Sequence, residues 1–379
     1  HLAKSWEVSD DGLTWTFEIR EDVTFHDGTK LDAEAVAYNF RRVLDPDHPS
    51  QTQSELDKIE SVEAVDEYTL NVNMSESFPM FLDSLSKGIL PIWSPEALEE
   101  YGQEEFSEHL VGSGPFMLEE WVPMSHVTLV KNPDYNWTPP AVDRNGPPYL
   151  DKVTLQWVKE KSVRGQIMTT GDVDVVQGLP VDFLGLYEGK SQYKTMMRTQ
   201  PGTGHQYVMN TTEKSPFNDI RVRKAILHTV DQEGINQTAF GGKWITGQGA
   251  VNPETAFFNP EATVGKMYPH DTEKAKELLE EAGWTHEDND GIREKDGEEL
   301  YLDWYCLHEP EMGEVVGQQL KAIGAQTKVH LVPGPVQLDA AANHEFDLMY
   351  ERQQDPSPKF LWLVWHSSQA KPGGWAWTG

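Results

Sequence analysis

Residues 2–46 read LAKSWEVSDDGLTWTFEIREDVTFHDGTKLDAEAVAYNFRRVLDP and predict a β-hairpin followed by an amphipathic helix. Asp10-Asp11-Gly12 is a turn signal, because Gly accepts a positive φ and Asp bonds to nearby backbone. After this turn, apolar residues alternate with polar ones, as in a half-buried strand: Leu13, Trp15, Phe17 and Ile19. Asp32 can cap a helix, and one apolar stripe follows at helical spacing: Ala33, Val36, Ala37, Phe40, Val43 and Leu44.

The rest of the chain continues with strands and helices in alternation. We expect strands at residues 67–74, on both sides of a turn at 123–125, and at 150–158, 205–210, 301–306 and 344–352. We expect helices at residues 75–85, before residue 171, after Ser215, and after Asp271, where Gly283 can end the helix. Three tryptophans are predicted to be buried, namely Trp6, Trp15 and Trp121. The pattern predicts an α/β fold with mixed sheets.

The charge balance is strongly acidic. The chain has 62 Asp plus Glu against 31 Lys plus Arg, a net charge of −31. Such a charge repels nucleic acid and anionic lipid surfaces, so no nucleic-acid partner is expected. The excess of acids exceeds what solubility requires and favours adaptation to a salty or alkaline exterior.

Motifs for catalysis or metal binding are not found in the sequence. It contains no HExxH, no GxSxG, no DFG and no Cys/His metal spacing, so no catalytic residue, cofactor or metal site is predicted. The single cysteine, Cys306, excludes an internal disulfide framework and is expected to be a small buried strand residue. His26, in the HDG turn, is expected to be structural. A secreted glycoside hydrolase is the alternative from a different class, since carboxylates are too numerous for spacing to identify a catalytic pair.

Several blocks together resemble one known family. LAxSWE, DGLTWTFEIR, VTFHDGT and AEAVAYNFRRVLDP occur in this order at the start, and VGSGPFMLEEW…NPDYNW, GDVDVVQGLP, SPFNDIRVRKAILHTVD and DTEKAKELLEEAG follow. These blocks resemble the ABC-transporter solute-binding proteins of the peptide/nickel type, extracellular family 5. The match departs from the family pattern at Ala35, where an Asp is usual, and at Asp32, where a Thr or Ser usually caps the helix.

The resemblance implies a periplasmic-binding-protein-like fold of the three-domain subtype, with a ligand cleft between lobes. The expected domains are a small lobe at residues 1–137, part of a central lobe at 138–233 and a third lobe at 234–379. Members of the family are longer, so we expect a fragment that lacks both ends, including any targeting signal.

The same resemblance implies a non-enzymatic, extracytoplasmic receptor that delivers a solute to the membrane permease of an ABC importer. The receptor is expected to be a monomer, either periplasmic or anchored at the cell surface as a lipoprotein. An oligopeptide or dipeptide is the expected ligand, closed between the lobes. An oligosaccharide is the second choice, because sugars stack on Trp faces, and a nickel chelate held by Arg352 and His205 is the third.

The expected ligand-binding residues are Asp355, Arg352, Tyr207, Asn210 and Trp375. In the family's peptide binders an Asp after the strand matched by FDLMYER holds the ligand's α-ammonium, and Asp355 has that place here. The loop has the sequence DPSP, which is shorter than the usual DYPDP. Asp355 is therefore interpreted equally well as a turn residue before Pro356. Arg352 could take the ligand's carboxylate, backbone groups at Asn210 its amides, and Trp375 lies near the family's cleft-closing aromatic segment.

Overall fold

The computed structural model describes most of the chain. The described residues are 1–46, 51–88, 90–139, 142–143, 145–199, 201–247, 249–255, 258–286, 291–307, 310–352, 360–361 and 365–366. They form two compact units, residues 1–160 and residues 161–379. Each unit is described by itself.

The described residues of the first unit form two antiparallel sheets and three α-helices. Its strands are β1 (Ala3–Val8), β2 (Thr14–Ile19), β3 (Ile59–Ala64), β4 (Thr69–Met74), β5 (Phe116–Val122), β6 (His126–Lys131) and β7 (Lys152–Gln156). Its helices are α1 (Ala33–Leu44), α2 (Phe81–Leu85) and α3 (Pro95–Glu105). The strand orders are β1-β2-β4-β3 in one sheet and β5-β6-β7 in the other.

The predicted hairpin and helix are confirmed. β1 pairs with β2, and the alternation in β2 buries Trp15, Phe17 and Ile19. The Asp32 side chain accepts a hydrogen bond from the backbone N–H of Ala35, which caps α1. The buried stripe of α1 packs with β2, β3 and β4 around one core, and each fully buried large side chain there contributes about 1.5–3 kcal/mol.

Two of the three tryptophans predicted to be buried are not in the core. Trp15 is buried, but Trp6 is 48% exposed and Trp121 is 37% exposed. Both lie on edge strands, β1 and β5, which have a neighbouring strand on one side only. Alternation along the sequence identifies the face of a strand but does not say whether the strand is at the edge of its sheet.

The helix predicted at residues 75–85 is shorter than expected. Only α2, Phe81–Leu85, is helical, and Phe81 is fully buried. Pro79 disfavours the helical conformation of the residue before it, so the helix begins after the proline.

The second unit is built around a mixed four-stranded sheet. Its strands are β8 (Gln206–Met209), β9 (Glu294–Lys295), β10 (Glu298–Glu299), β11 (Tyr301–Cys306), β12 (Gln326–Leu331) and β13 (Leu348–Glu351). Its helices are α4 (Lys161–Thr170), α5 (Ile220–Thr229), α6 (Gln232–Phe240), α7 (Val264–Met267), α8 (Thr272–Glu281), α9 (Pro310–Lys321) and α10 (Gly334–Asn343). The sheet order is β12-β11-β13-β8, with β8 antiparallel to β13 and the other pairs parallel.

The predicted elements of this unit are found, but two are shorter than expected. The strand expected at 344–352 covers only β13, and a 3₁₀ turn at Pro216–Asn218 precedes α5 after Ser215. Asp271 caps α8 through the backbone N–H of Lys274, and Gly283 follows with a φ of 92°. Cys306 is a fully buried residue of β11. The core of this unit combines helices α5, α8 and α9 with the central strands.

The domain boundary predicted at residue 137 lies between β6 and β7. These two strands pair with each other in the first unit. The division into three lobes stays a prediction.

Candidate functional site

One end of the four-stranded sheet brings together the first residues of β8 and the last residues of β13. The two strands are antiparallel, with Gln206 opposite Glu351 and Tyr207 opposite Tyr350. The side-chain amide of Gln206 donates to the Glu351 carboxylate. Arg352 follows directly and is exposed. This end of the sheet therefore holds a buried carboxylate bonded to a carboxamide, and an exposed arginine follows it in the chain.

Aromatic rings form a cluster at the same end of the sheet. The His205 ring lies 4.8 Å from the Trp244 ring and 5.6 Å from the Tyr350 ring, measured between centroids. The Tyr207 ring lies 4.3 Å from the Trp304 ring and 6.1 Å from the Tyr350 ring. Such contacts hold rings in fixed orientations. Trp304 and Tyr350 belong to the buried core of the unit, so the cluster anchors Tyr207 and His205 to that core.

The chain entering β8 is held in place by a second loop. The Thr255 hydroxyl accepts from the Gly202 backbone N–H at 2.8 Å and donates to the Gly202 carbonyl at 3.1 Å. The Asn252 backbone N–H donates to the same carbonyl at 2.8 Å. These bonds fix the loop that positions His205 and Gln206.

Glu351 is the most informative residue that the sequence analysis missed. It is 3% exposed, in a strand whose four residues are all buried. Burying a carboxylate is costly unless partners compensate its charge, so such groups concentrate at functional or structurally specific positions. The available signal was the acidic residue directly after the apolar run Leu348-Met349-Tyr350 within a predicted strand.

Asn210 has a structural position. It is 1% exposed, and its side-chain N–H groups donate to the carbonyls of Phe346 at 2.8 Å and His344 at 3.2 Å. Its side-chain oxygen accepts from the backbone N–H and the hydroxyl of Thr212, and its backbone N–H donates to the Asp347 carbonyl. The amide therefore joins the end of β8 to the start of β13.

Next to this amide is a half-buried carboxylate, that of Asp347. Burial raises the pKa of Asp347, while hydrogen bonds from the Ser215 hydroxyl and the Asp303 backbone N–H oppose that rise. The group belongs to the same structural connection and not to the end of the sheet where Arg352 lies.

The five predicted ligand residues do not all lie together. Tyr207 and Arg352 belong to the sheet end described above, whereas Asn210 lies beyond the other end of β8, about 13 Å along the strand direction from Gln206. Asp355 and Trp375 lie outside the described residues. His205, considered for a nickel chelate, is at the same end as Arg352.

The outer side of β8 faces a groove of about 450 Å³. Tyr207, Arg223, Lys224 and Tyr268 are among its lining residues, and none of the described lining residues is acidic. In a chain with this excess of acids, the groove offers a local surface for anionic groups.

The His26 side chain is structural, as expected. Its Nδ1 accepts from the Gly112 backbone N–H at 3.3 Å, so Nε2 carries the proton and donates to the Gly114 carbonyl at 3.0 Å. Burial lowers the pKa of this imidazole from 6.5, an effect that the Gly114 carbonyl partly opposes.

Within the described residues, no three His, Cys, Asp or Glu side chains are grouped as a metal site would require. Nor does any helix in the described parts of the chain have the length and apolarity to cross a membrane.

Comparison with known proteins identifies relatives along nearly the whole chain. Residues 1–372 match the family model described as bacterial extracellular solute-binding proteins, family 5 Middle. The glutathione-binding protein GsiB of Escherichia coli O1:K1 / APEC is 34% identical over 284 residues, which is 75% of this chain and 52% of GsiB. The chain thus spans about half the length of the curated relatives that it matches.

Two solved structures share the fold. NikA from Brucella suis, in complex with Fe(III)-EDTA, is 24% identical with a TM-score of 0.83 over 100% of this chain and 75% of NikA. The oligopeptide-binding protein AppA from Bacillus subtilis, in complex with a nonapeptide, is 24% identical with a TM-score of 0.82 and the same coverage. The periplasmic-binding-protein-like α/β fold is thereby confirmed, and the chain belongs to the bacterial extracellular solute-binding proteins of family 5.

Proposed function

We propose that the protein is an extracytoplasmic receptor that binds an oligopeptide or dipeptide and delivers it to the membrane permease of an ABC importer. The family match over residues 1–372 carries this proposal. The relatives support a peptide ligand, since GsiB is named for glutathione, which is itself a tripeptide, and AppA was solved with a nonapeptide.

The chemistry of the sheet end suits a zwitterionic ligand. A peptide has an ammonium at one end and a carboxylate at the other, so its receptor needs groups of both signs in a water-poor site. Arg352 supplies a guanidinium for the ligand's carboxylate, and Asp355 supplies a carboxylate for the ammonium. Tyr207 contributes an aromatic face, and Trp375 closes over the ligand. Asn210 is left out of this set, because its side-chain amide and its N–H bind residues 212 and 344–347.

The proposed receptor returns its ligand unchanged. It works as a monomer, is periplasmic or anchored at the cell surface as a lipoprotein, and is adapted to high salt through its acidic surface. Incubation with panels of peptides and oligosaccharides tests this account. Saturable binding of an unaltered peptide supports the receptor, whereas turnover of a sugar supports the glycoside hydrolase.

A metal chelate, the third choice after an oligosaccharide, gains support from the position of His205. The imidazole lies at the same end of the sheet as Arg352, within ring contact of Trp244 and Tyr350. Imidazole is a preferred nickel ligand. If nickel with free histidine binds more tightly than any peptide, and His205→Ala removes that binding, the chelate replaces the peptide as the proposed ligand.

Substitution of the proposed ammonium anchor provides the sharpest test of the site. Removing one partner of a desolvated ion pair costs about 3–5 kcal/mol, so Asp355→Ala should abolish measurable peptide binding by calorimetry. Asp182→Ala removes an exposed carboxylate elsewhere in the same unit and serves as the matched control. Unchanged peptide affinity in Asp355→Ala would remove this residue as the anchor and move the oligosaccharide ahead.

A further inference from the structure

Strand β12 forms one edge of the four-stranded sheet, and within the described residues no strand pairs with its outer side. The strand is six residues long, or about 20 Å, and its pairing with β11 shows no register shift. Proteins usually block such edges with a bulge, a proline, a very short strand or charged side chains, especially Lys. Of these devices β12 has only the last, the exposed Lys328, which repels cationic strands and leaves the backbone groups open.

The register identifies which backbone groups point outward. The Gln326 N–H donates to the Leu300 carbonyl at 2.9 Å, and the Val332 N–H donates to the Cys306 carbonyl at 3.0 Å. In a parallel ladder every second residue directs both its N–H and its C=O toward the neighbouring strand. The alternate residues Thr327, Val329 and Leu331 therefore direct their backbone groups to the open side.

A groove runs beside this edge. It encloses about 520 Å³ and is lined by β12 and by one side of α9, including Val315, Gly317 and Lys321. The helix lies close over the strand because it has glycine at the contact points: a Cβ on Gly317 would come within 2.5 Å of the Thr327 hydroxyl oxygen. An open strand edge beside a helix is the geometry in which proteins bind an extended segment as an added strand.

The side chains around this edge are apolar and cationic. Leu331 is 59% exposed, and Val329 is half-buried in the groove. No Asp or Glu occurs from Lys321 to Leu338, a stretch that contains Lys328 and His330. Acidic groups nearby are Glu314 on the groove wall and Asp303, which is 2.7 Å from His330.

The charges decide which occupant the edge can accept. A second copy would bring Lys328 of two edge strands together and would join two whole chains of net charge −31. A short extended segment with acidic side chains avoids the repulsion between lysines, carries far fewer charges than a second chain and can pair with Lys321 and Lys328.

We propose that the outer edge of β12 is a docking site for an extended, acidic segment of a partner protein, which adds as a strand beside α9. Main-chain bonds to Thr327, Val329 and Leu331 provide the affinity, and Lys321 and Lys328 select acidic side chains. This site is separate from the sheet end proposed for the solute and does not depend on the identity of that solute.

The probe is a synthetic peptide of about nine residues in which Glu alternates with Val or Thr. Its ends are acetylated and amidated, so it lacks the charged termini that the proposed solute site reads. Binding should slow hydrogen exchange of the Thr327, Val329 and Leu331 amides and leave those of Gln326 and Lys328, which point toward Leu300 and β11, unchanged. The affinity should fall as KCl is raised, since charge pairs at an exposed edge are screened.

Two pairs of variants complete the test. Val329→Pro removes an outward N–H without touching the ladder to β11 and should weaken binding about tenfold, whereas Val329→Thr keeps the N–H and should bind normally. Lys328→Glu should weaken binding several-fold, whereas Lys276→Glu makes the same charge change on α8 and should not. Equal binding by Val329→Pro and Val329→Thr, no binding at millimolar peptide, or protection away from these three amides would overturn the proposal.

Discussion

At the scale of single residues, the Asn210 side chain is part of the framework that joins β8 to β13. Its amide holds the carbonyls of His344 and Phe346, and these would lose their donor if the side chain were removed. We expect Asn210→Ala to lower the free energy of unfolding by about 2–3 kcal/mol, because a buried polar group left unsatisfied costs about 1–3 kcal/mol. Urea denaturation provides the measurement.

Asn218→Ala is the control for this substitution. Its side chain also donates to a backbone carbonyl, that of Thr211, but at an exposed position, so its loss should change the stability by less than about 0.5 kcal/mol. If both variants had the same stability, Asn210 would not hold the two strands together. A direct role in ligand binding would then again be open.

His26 gives a prediction for the dependence of stability on pH. Burial lowers the pKa of its imidazole in the folded chain, so between the folded and unfolded pKa values the unfolded chain binds more protons. Its contribution to stability is therefore complete above pH 6.5 and is lost as the pH falls from 6.5 toward the folded pKa. Titration of the His26 ring signals by NMR should give a pKa below 6.5.

The variant His26→Gln tests the same linkage, because glutamine cannot take up a proton in this range. Its stability should change less than that of the parent chain between pH 7.5 and pH 5. A His26 pKa above 6.5, or the same loss of stability in both proteins, would contradict the neutral imidazole that donates to Gly114.

At the scale of elements, α4 depends on a glycine. A Cβ on Gly165 would lie 2.3 Å from Cγ of Phe183, and the Gly165 carbonyl accepts from the Tyr187 hydroxyl at 2.7 Å. Gly165→Ala should therefore separate α4 from residues 181–187 and lower the free energy of unfolding by about 1–3 kcal/mol.

Gly265→Ala in α7 is the matched control for that substitution. Nothing lies within 4 Å of the position of its Cβ, so this change should be neutral or slightly stabilising. Equal stability of the two variants in urea denaturation would mean that the Phe183 ring moves aside without cost.

Elements with strong local signals could be predicted from sequence. The structure contains three such features: the shared buried face of Trp15 and Phe17, the Asp32 cap and the Gly283 terminus. Each of them depends only on residues a few positions apart. Pairings between distant segments carry no such signal. The exposure of Trp6 and Trp121 depends on which strands form sheet edges, and that is determined by the whole topology.

The candidate site was predicted less well than the fold. The strands that frame it were identified, but the pairing of Gln206 with Glu351, which defines the sheet end, connects residues 145 positions apart. Tyr207 lies at this paired end of β8, whereas Asn210 lies beyond the opposite end, although only three positions divide them along the chain. Resemblance to a family identifies which segment forms the site. The register between paired strands decides which side chains of that segment come together.

At the scale of the whole molecule, the net charge of −31 is the dominant property. Most ion pairs of the described residues are exposed and each contributes only about 0–1 kcal/mol, so they offset little of the repulsion between acids. We expect the melting temperature to rise from low to molar KCl, because salt screens this self-repulsion. Sucrose at matched osmolarity controls for solute effects, and a melting temperature that KCl does not raise would contradict the proposed adaptation to salt.

The central claim, that this member of family 5 is a peptide receptor, is tested most directly by native mass spectrometry of the protein purified without refolding. An enclosed ligand with desolvated charges dissociates slowly, so copurified ligands should remain bound. We predict adducts whose masses correspond to short peptides, which are displaced by an added dipeptide or oligopeptide and released unaltered. Adducts of oligosaccharide mass, or an empty protein that no peptide in the panel saturates, would contradict the account.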